Sequence, residues 1–280
     1  MSLPDLIQTS TRSSSFSHWI DAYPTGALQA LITALPISDV YALIDRAFDT
    51  TLSAGLKHRF PHLAQQSLFK DLYTGTDLAA LSPCLVEIPD IPQERLELIT
   101  YLMRASNGKP MLSFLSAEKT PLLEHLHTQL EAKDIQGRGF LLRFADTRAL
   151  DLLLKTLTQP QRERLLFDGL QWWYWRRDGE LRYVQGCRAV SDNSPPIKPY
   201  QFDSRQIQLM ENGARADGLL FCLRKNAEIF GRLSGRPSAA HRCIQEVLDS
   251  HDSEQVHDAV VFRQILESLC RNGLLSQAQE

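Results

Sequence analysis

Two carboxylates and a guanidinium, Asp45, Arg143 and Asp146, are the residues of this chain best suited to polar chemistry, because each stands where an apolar run ends. One reading makes them the site of a hydrolase or transferase, since a carboxylate can move a proton and a guanidinium can steady negative charge. The other reading is structural. Arg143 closes the run Phe140–Phe144, three residues before Asp146, within reach of a charge-assisted hydrogen bond across the turn. Asp146 stands where a helix N-cap belongs, with Leu150, Leu153, Leu154 and Leu157 recurring at helical spacing behind it. Structural roles for Asp45, Arg143 and Asp146 are the expectation, and the enzyme reading is the alternative.

The remaining spacings offer little catalysis. His125 and His127 lie two apart on an expected helix, point in different directions and cannot share a metal ion. His58 and His62 have the spacing of helical metal ligands, but Pro61 intervenes and no carboxylate sits nearby. Five cysteines (Cys84, Cys187, Cys222, Cys243, Cys270) lie far apart with no Cys-x-x-Cys pair, which suits a reducing compartment. Gly231-Arg-Leu-Ser234-Gly235 lacks the spacing of a nucleophile elbow, and no phosphate-cradling Gly-x-x-x-x-Gly-Lys motif occurs. Neither a cofactor nor a metal is expected.

The block Trp172-Trp173-Tyr174-Trp175 has three readings. Strand alternation sends Trp173 and Trp175 to one sheet face, Trp172 and Tyr174 to the other. Packing in the core or between lobes comes first. A stacking platform for nucleic acid is the second, helped by Arg176, Arg177 and Arg182 but diluted by Asp178 and Glu180. The third is a docking surface for another protein, where Trp, Tyr and Arg dominate.

These residues need elements to hold them. The pattern predicts a helix over Gly26–Leu35 and strands over Val40–Phe48, Cys84–Ile88, Met111–Leu115 and Phe140–Phe144. Helices are expected over Glu94–Ala105, from Ser116 or the Thr120-Pro121 cap to Leu130, and on both sides of Thr158, whose spacing to Gln161 suits a capping box. Asp178-Gly179 between Gln171–Arg176 and Leu181–Gln185 signals a two-residue hairpin turn. The order predicts an α/β fold: an N-terminal mixed-sheet domain flanked by helices, followed by a smaller all-helical C-terminal lobe. Residues 1–38 form a polar lead and one helix, 39–191 the α/β domain, 192–199 a Pro-rich linker and 200–280 the helical lobe. In that lobe Leu219, Leu220, Phe221, Cys222 and Leu223 are consecutive, so at least one must face away from a single helical stripe.

Composition narrows the partners. Hydrophobic residues at 43% and charged residues at 22% describe a globular chain. A net charge of −3 and a pI near 6.3 argue against a nucleic-acid partner. Basic residues outnumber acidic ones seven to four over Phe202–Arg242, and acidic outnumber basic seven to two from Ile244 onward, a polarity that could steer a charged partner. Pro4, Asp5 and the Ser/Thr-rich run Thr9–Ser17 do not read as a secretory signal, and Ala27–Ile37 is too short and too broken to span a membrane. A cytoplasmic protein with no membrane insertion is expected.

In order along the chain, Tyr41-Ala-Leu-Ile-Asp45-Arg-Ala-Phe48, Leu72-Tyr73-x-Gly75-Thr76 and Leu81-Ser-Pro83-Cys-Leu-Val86 are followed by Leu123-Glu-His125-Leu126 and Gly137-Arg-Gly-Phe-Leu-Leu-Arg143-Phe144 with Asp146. This ordered set, over roughly Tyr41–Tyr174, resembles the type VI secretion effector chaperones, or adaptors, a family long catalogued as a domain of unknown function. Ser82, Cys84, Ala145 and Thr147 depart from its pattern. The resemblance implies a non-catalytic role: binding a toxin effector in the cytoplasm and helping to load it onto a VgrG-type spike. Trp172, Trp173, Tyr174 and Trp175 with Leu219, Leu220, Phe221, Leu223 and Phe230 are the expected partner surface.

Overall fold

The computed structural model describes residues 18–69, 81–117, 122–186, 199–250 and 258–276. The Ser/Thr-rich lead, the Tyr73–Thr76 motif, the Thr120-Pro121 cap and the boundary Asp192–Lys198 lie outside the described residues.

Helix α1 (Ala27–Ala34) precedes β1 (Val40–Ile44), α2 (Leu52–Arg59), β2 (Gln65–Ser67), β3 (Cys84–Glu87) and α3 (Pro92–Ser106). Then come β4 (Leu112–Ser116), α4 (Leu122–Thr128), β5 (Glu131–Asp134), β6 (Gly139–Leu141), α5 (Thr147–Thr156) and α6 (Gln159–Leu165). The chain continues through β7 (Gln171–Trp175), β8 (Leu181–Gln185), β9 (Tyr200–Phe202), α7 (Ser204–Lys225) and α8 (Ala227–Phe230). It ends in β10 (Arg232–Leu233), α9 (Pro237–Asp249), α10 (Asp258–Arg271) and β11 (Leu275–Ser276).

The class is α/β, as the pattern predicts. Six strands form one sheet in the order β2-β3-β1-β4-β7-β8, antiparallel throughout. The mixed pairing is confined to a three-stranded sheet, where β5 pairs antiparallel with β6 and parallel with β9. Both faces of the large sheet are buried along its central strands, while the edge strands β2 and β8 are partly exposed. Leu43, Leu115, Trp172 and Tyr174 pack under Leu126, Leu150 and Leu153 on one side; Ala42, Phe114, Trp173 and Trp175 pack with Leu31, Leu98 and Leu102 on the other. A third core, with Leu220, Leu223, Ile244, Ile265 and Leu269, holds the helical lobe.

Three local expectations change. The strand expected over Phe140–Phe144 is only Gly139–Leu141, at a sheet edge and largely exposed, because its partner β5 is four residues long. The hairpin is wider than two residues: the Arg176 N–H donates to the Glu180 carbonyl at 2.9 Å, and Gly179 takes the left-handed φ of 79° that the enclosed turn demands. Nor is everything past the proline cluster helical, since β9 joins the α/β lobe, and β10 and β11 pair with each other.

Helix α7, 22 residues and so about 33 Å long, ties the lobes together. Ile207 and Met210 in its first half pack on the α/β core, while Ala216, Leu220 and Leu223 in its second half build the helical core. Its start is held by a capping box, with the Gln206 N–H donating to Asp203 Oδ1 at 2.7 Å. The amide of Gln206 then donates to Gln161 Oε1 at 2.7 Å, and Gln161 accepts the Thr158 N–H at 3.0 Å in the capping box expected there.

Candidate functional site

Asp45 ends β1, is 2% exposed, and accepts from the Arg143 Nη2 at 2.8 Å. The Arg143–Asp146 hydrogen bond expected across the turn does not form. Arg143 instead reaches the far end of β1, and the turn is closed by the Asp146 N–H donating to the Arg143 carbonyl at 3.0 Å. Asp146 does cap α5, accepting the Arg148 N–H at 3.0 Å, and the same side chain takes the Arg148 guanidinium at 3.1 and 2.8 Å. Burial raises the Asp45 pKa, partly offset by Arg143. Both carboxylates therefore serve as acceptors for the chain's own cations, and neither is among the residues that line the two clefts described below.

Arg148 opens a larger cluster between the lobes that spacing did not reveal. Its guanidinium bridges Asp146 and, at 3.2 Å, Asp217 of α7; Arg177 from the hairpin meets the same Asp217 at 2.7 Å. Burial would raise the Asp217 pKa, but Arg177 and Arg148 outweigh it and hold the carboxyl below its usual range. Trp19 lies beside this cluster, stacked on Phe221 at 6.0 Å, with Arg148 5.3 Å and Arg224 4.9 Å from its ring centroid. His241 faces the cluster from α9; burial and then Arg177 lower its pKa to about 4, so it is neutral at physiological pH.

The expected partner surface is mostly interior. Trp172, Trp173, Tyr174 and Trp175 are all buried, in the two-faced arrangement that alternation predicted, and offer no docking or base-stacking platform. Trp173 and Trp175 pack toward α1 and α3, and Trp172 donates its Nε1–H to Ser113 Oγ at 2.9 Å, while the turn of the hairpin meets the helical lobe where Arg177 pairs with Asp217 of α7. Leu220 and Leu223 fill the helical core, while Leu219 and Phe230 pack against it. Phe221 is the residue that faces away, 46% exposed.

Histidine placement also differs in part. His62 lies beyond the end of α2 and meets Glu94, so a carboxylate is present after all. His125 is held by the Leu165 carbonyl at 3.0 Å and by the Phe167 ring, and His127 is half-buried. No group of three or more His, Cys, Asp and Glu side chains that could hold a metal ion occurs among the described residues, and no described helix is long and apolar enough to cross a membrane.

An open apolar groove of about 470 Å³ runs between β6, α5 and α7. Phe140, Leu141 and Leu142 form one wall, Leu152 and Leu153 the floor, and Ile207, Met210 and Ala214 the other wall. Arg138, Arg143 and Glu211 stand at the groove with Asp134, whose carboxylate is held by Arg138 at 2.6 Å. Exposed Ile135 and Leu209 lie on the same two flanking elements, the β5–β6 turn and α7. The spacing of Ile207, Met210 and Ala214 is a helical stripe that the sequence does carry; its neighbour across the groove is not readable there.

The comparisons bear on one wall of this groove. Residues 40–164 match the family model described as Domain of unknown function (DUF4123). The DUF4123 stretch holds Asp45, Arg143, Asp146 and Arg148, β6 and α5, but neither the tryptophan strand nor α7. No curated protein and no solved structure matches the chain. Ser82 has a local use: its Oγ takes the Ser67 hydroxyl at 2.7 Å and the Phe69 N–H at 2.9 Å, fastening the segment after β2 to the start of β3.

Proposed function

We propose that this chain is a non-catalytic cytoplasmic adaptor that takes up a toxin effector and helps to load it onto the VgrG-type spike of a type VI secretion system. The observation that carries the reading is the groove between β6, α5 and α7: an open apolar channel with charged residues at its margin, built where the two lobes meet. Such a channel suits an amphipathic helix of the effector, laid in with its apolar face down. The DUF4123 match and the ordered resemblance along Tyr41–Tyr174 support the assignment to this class. The enzyme reading has less support, since Asp45 and Asp146 are committed to arginines and do not line this groove.

This reading moves the effector site from the tryptophan hairpin and helical lobe to the seam between the lobes. A fragment ending at residue 198 would lack β9 and one whole wall of the groove, so the test keeps the full chain. Leu141→Asp places a charge on an exposed groove residue. Co-elution with the toxin encoded beside the chain's gene should be lost in that variant while its melting temperature holds. Unchanged co-elution would take the effector off the groove.

A further inference from the structure

A second cleft, of about 670 Å³, opens between the segment His18–Pro24, the C-terminal end of α7, β10 and the start of α9. Its charged lining is Arg224, Arg232 and Arg236 against Asp21 and Asp178, with His18 beside them. Both carboxylates are already engaged. Asp21 accepts the Ser238 N–H at 2.9 Å and the Ser238 hydroxyl at 2.6 Å, and Asp178 accepts the Glu180 N–H at 3.2 Å and lies 3.5 Å from Arg176. None of the three arginines has an ion pair with a carboxylate among the described residues.

Behind the cleft the balance stays positive. Arg148, Arg177 and Arg224 crowd around Asp146 and Asp217, and Arg177 Nη1 is buried without a hydrogen-bond partner. Burial, with Arg148 repelling it, lowers the Arg224 pKa to about 10, as expected for a guanidinium short of counter-charge. The whole chain carries −3, so this is a local surplus against the overall sign, in the stretch where basic residues cluster.

From these observations we infer that the cleft takes an acidic segment of a partner protein, with carboxylates meeting Arg224, Arg232 and Arg236. The inference rests on the adaptor reading for the partner's identity, but its chemistry stands apart from the groove. A single phosphate fits less well. It would seek the N–H groups at the start of α9, where Asp21 already holds Ser238. The remaining donors are guanidiniums on α7, on β10 and just before α9, which suits carboxylates spaced along a peptide.

The test uses the intact chain and a fluorescein-labelled oligo-glutamate peptide, read by fluorescence anisotropy at low and high salt. Saturable binding is expected at low salt and should fade as salt screens it. The double variant Arg232→Gln/Arg236→Gln alters two exposed side chains and should weaken binding roughly fivefold or more. Leu141→Asp, which is the groove variant, should bind the peptide like the wild type. Equal binding by the wild type and the double variant, or no saturable binding at low salt, overturns the inference. So does pyrophosphate or inorganic phosphate binding the same arginines more tightly than the peptide. A toxin that ignores the wild-type chain while oligo-glutamate still binds would count against the adaptor reading alone.

Discussion

The tryptophan strand and the seam groove make opposite use of apolar residues. Strand β7 places four large aromatics in a row and buries all of them, because it sits inside the sheet with a packed layer on each face. The groove is built from ordinary residues such as Leu141, Leu152, Ile207 and Met210, yet stays open, because no described element covers the space between β6 and α7. The block of consecutive aromatics therefore marks the centre of the fold rather than a binding surface. Exposure was decided by which elements found a partner.

That contrast can be broken first at the strand. Trp172→Ala removes a fully buried indole and leaves Ser113 without its donor, so a loss of about 4 kcal/mol is expected from urea unfolding. A loss below about 1 kcal/mol would mean that β7 is not the keystone its burial implies.

Next comes the charge cluster joining the two lobes. Asp146→Ala removes both the α5 cap and the main partner of Arg148, which is 12% exposed, and should cost about 3 kcal/mol. Arg143→Ala should cost less, about 1–2 kcal/mol, since Arg143 is 54% exposed and water can enter where it lay, yet the 2% exposed Asp45 loses its cation. The part of the pH dependence set by His241 has a definite sign. The folded His241 has its pKa lowered from 6.5 to about 4, so the unfolded chain gains the proton first, and stability falls as pH drops from about 6.5 toward 4. The depressed Asp217 adds a further loss only as pH falls through its own lowered value. His241→Asn should flatten the first part of that curve in thermal melts, and an unaltered slope would assign the acid sensitivity to another group.

The comparison sharpens further at Gly213. A Cβ there would lie 2.6 Å from Leu152 Cδ1, so an alanine must push the Leu152 side chain into the groove. The helix gains roughly 1 kcal/mol from losing a glycine, which offsets most of the crowding, and stability should change by less than about 1 kcal/mol. Effector co-elution should fall nevertheless. The smallest effect on stability belongs to Leu141→Asp, within about 0.5 kcal/mol in the same unfolding assay, with the largest effect on partner uptake.

Much of the framework was legible in order. Asp146 behind an apolar run and ahead of Leu150, Leu153, Leu154 and Leu157 specified a capped helix with one buried stripe, and all four leucines are buried. Thr158 with Gln161 specified a second start, and the alternation of Trp172 to Trp175 assigned each ring to its face. These signals are local: capping acts over three residues, and alternation follows from backbone geometry.

The placement of these pieces was decided only when distant segments met. Arg143 pairs with Asp45, 98 residues away, rather than with Asp146 beside it. Asp217 draws Arg148 and Arg177 together from two other elements, and Trp19 closes against Phe221. Strand β9 crosses the expected domain boundary to pair with β5, bringing α7 alongside α5 and leaving the groove between them. A sequence determines by itself which residues prefer burial and where elements begin. Which charges neutralise one another, and which apolar face stays uncovered, depends on three-dimensional neighbours that spacing along the chain does not encode.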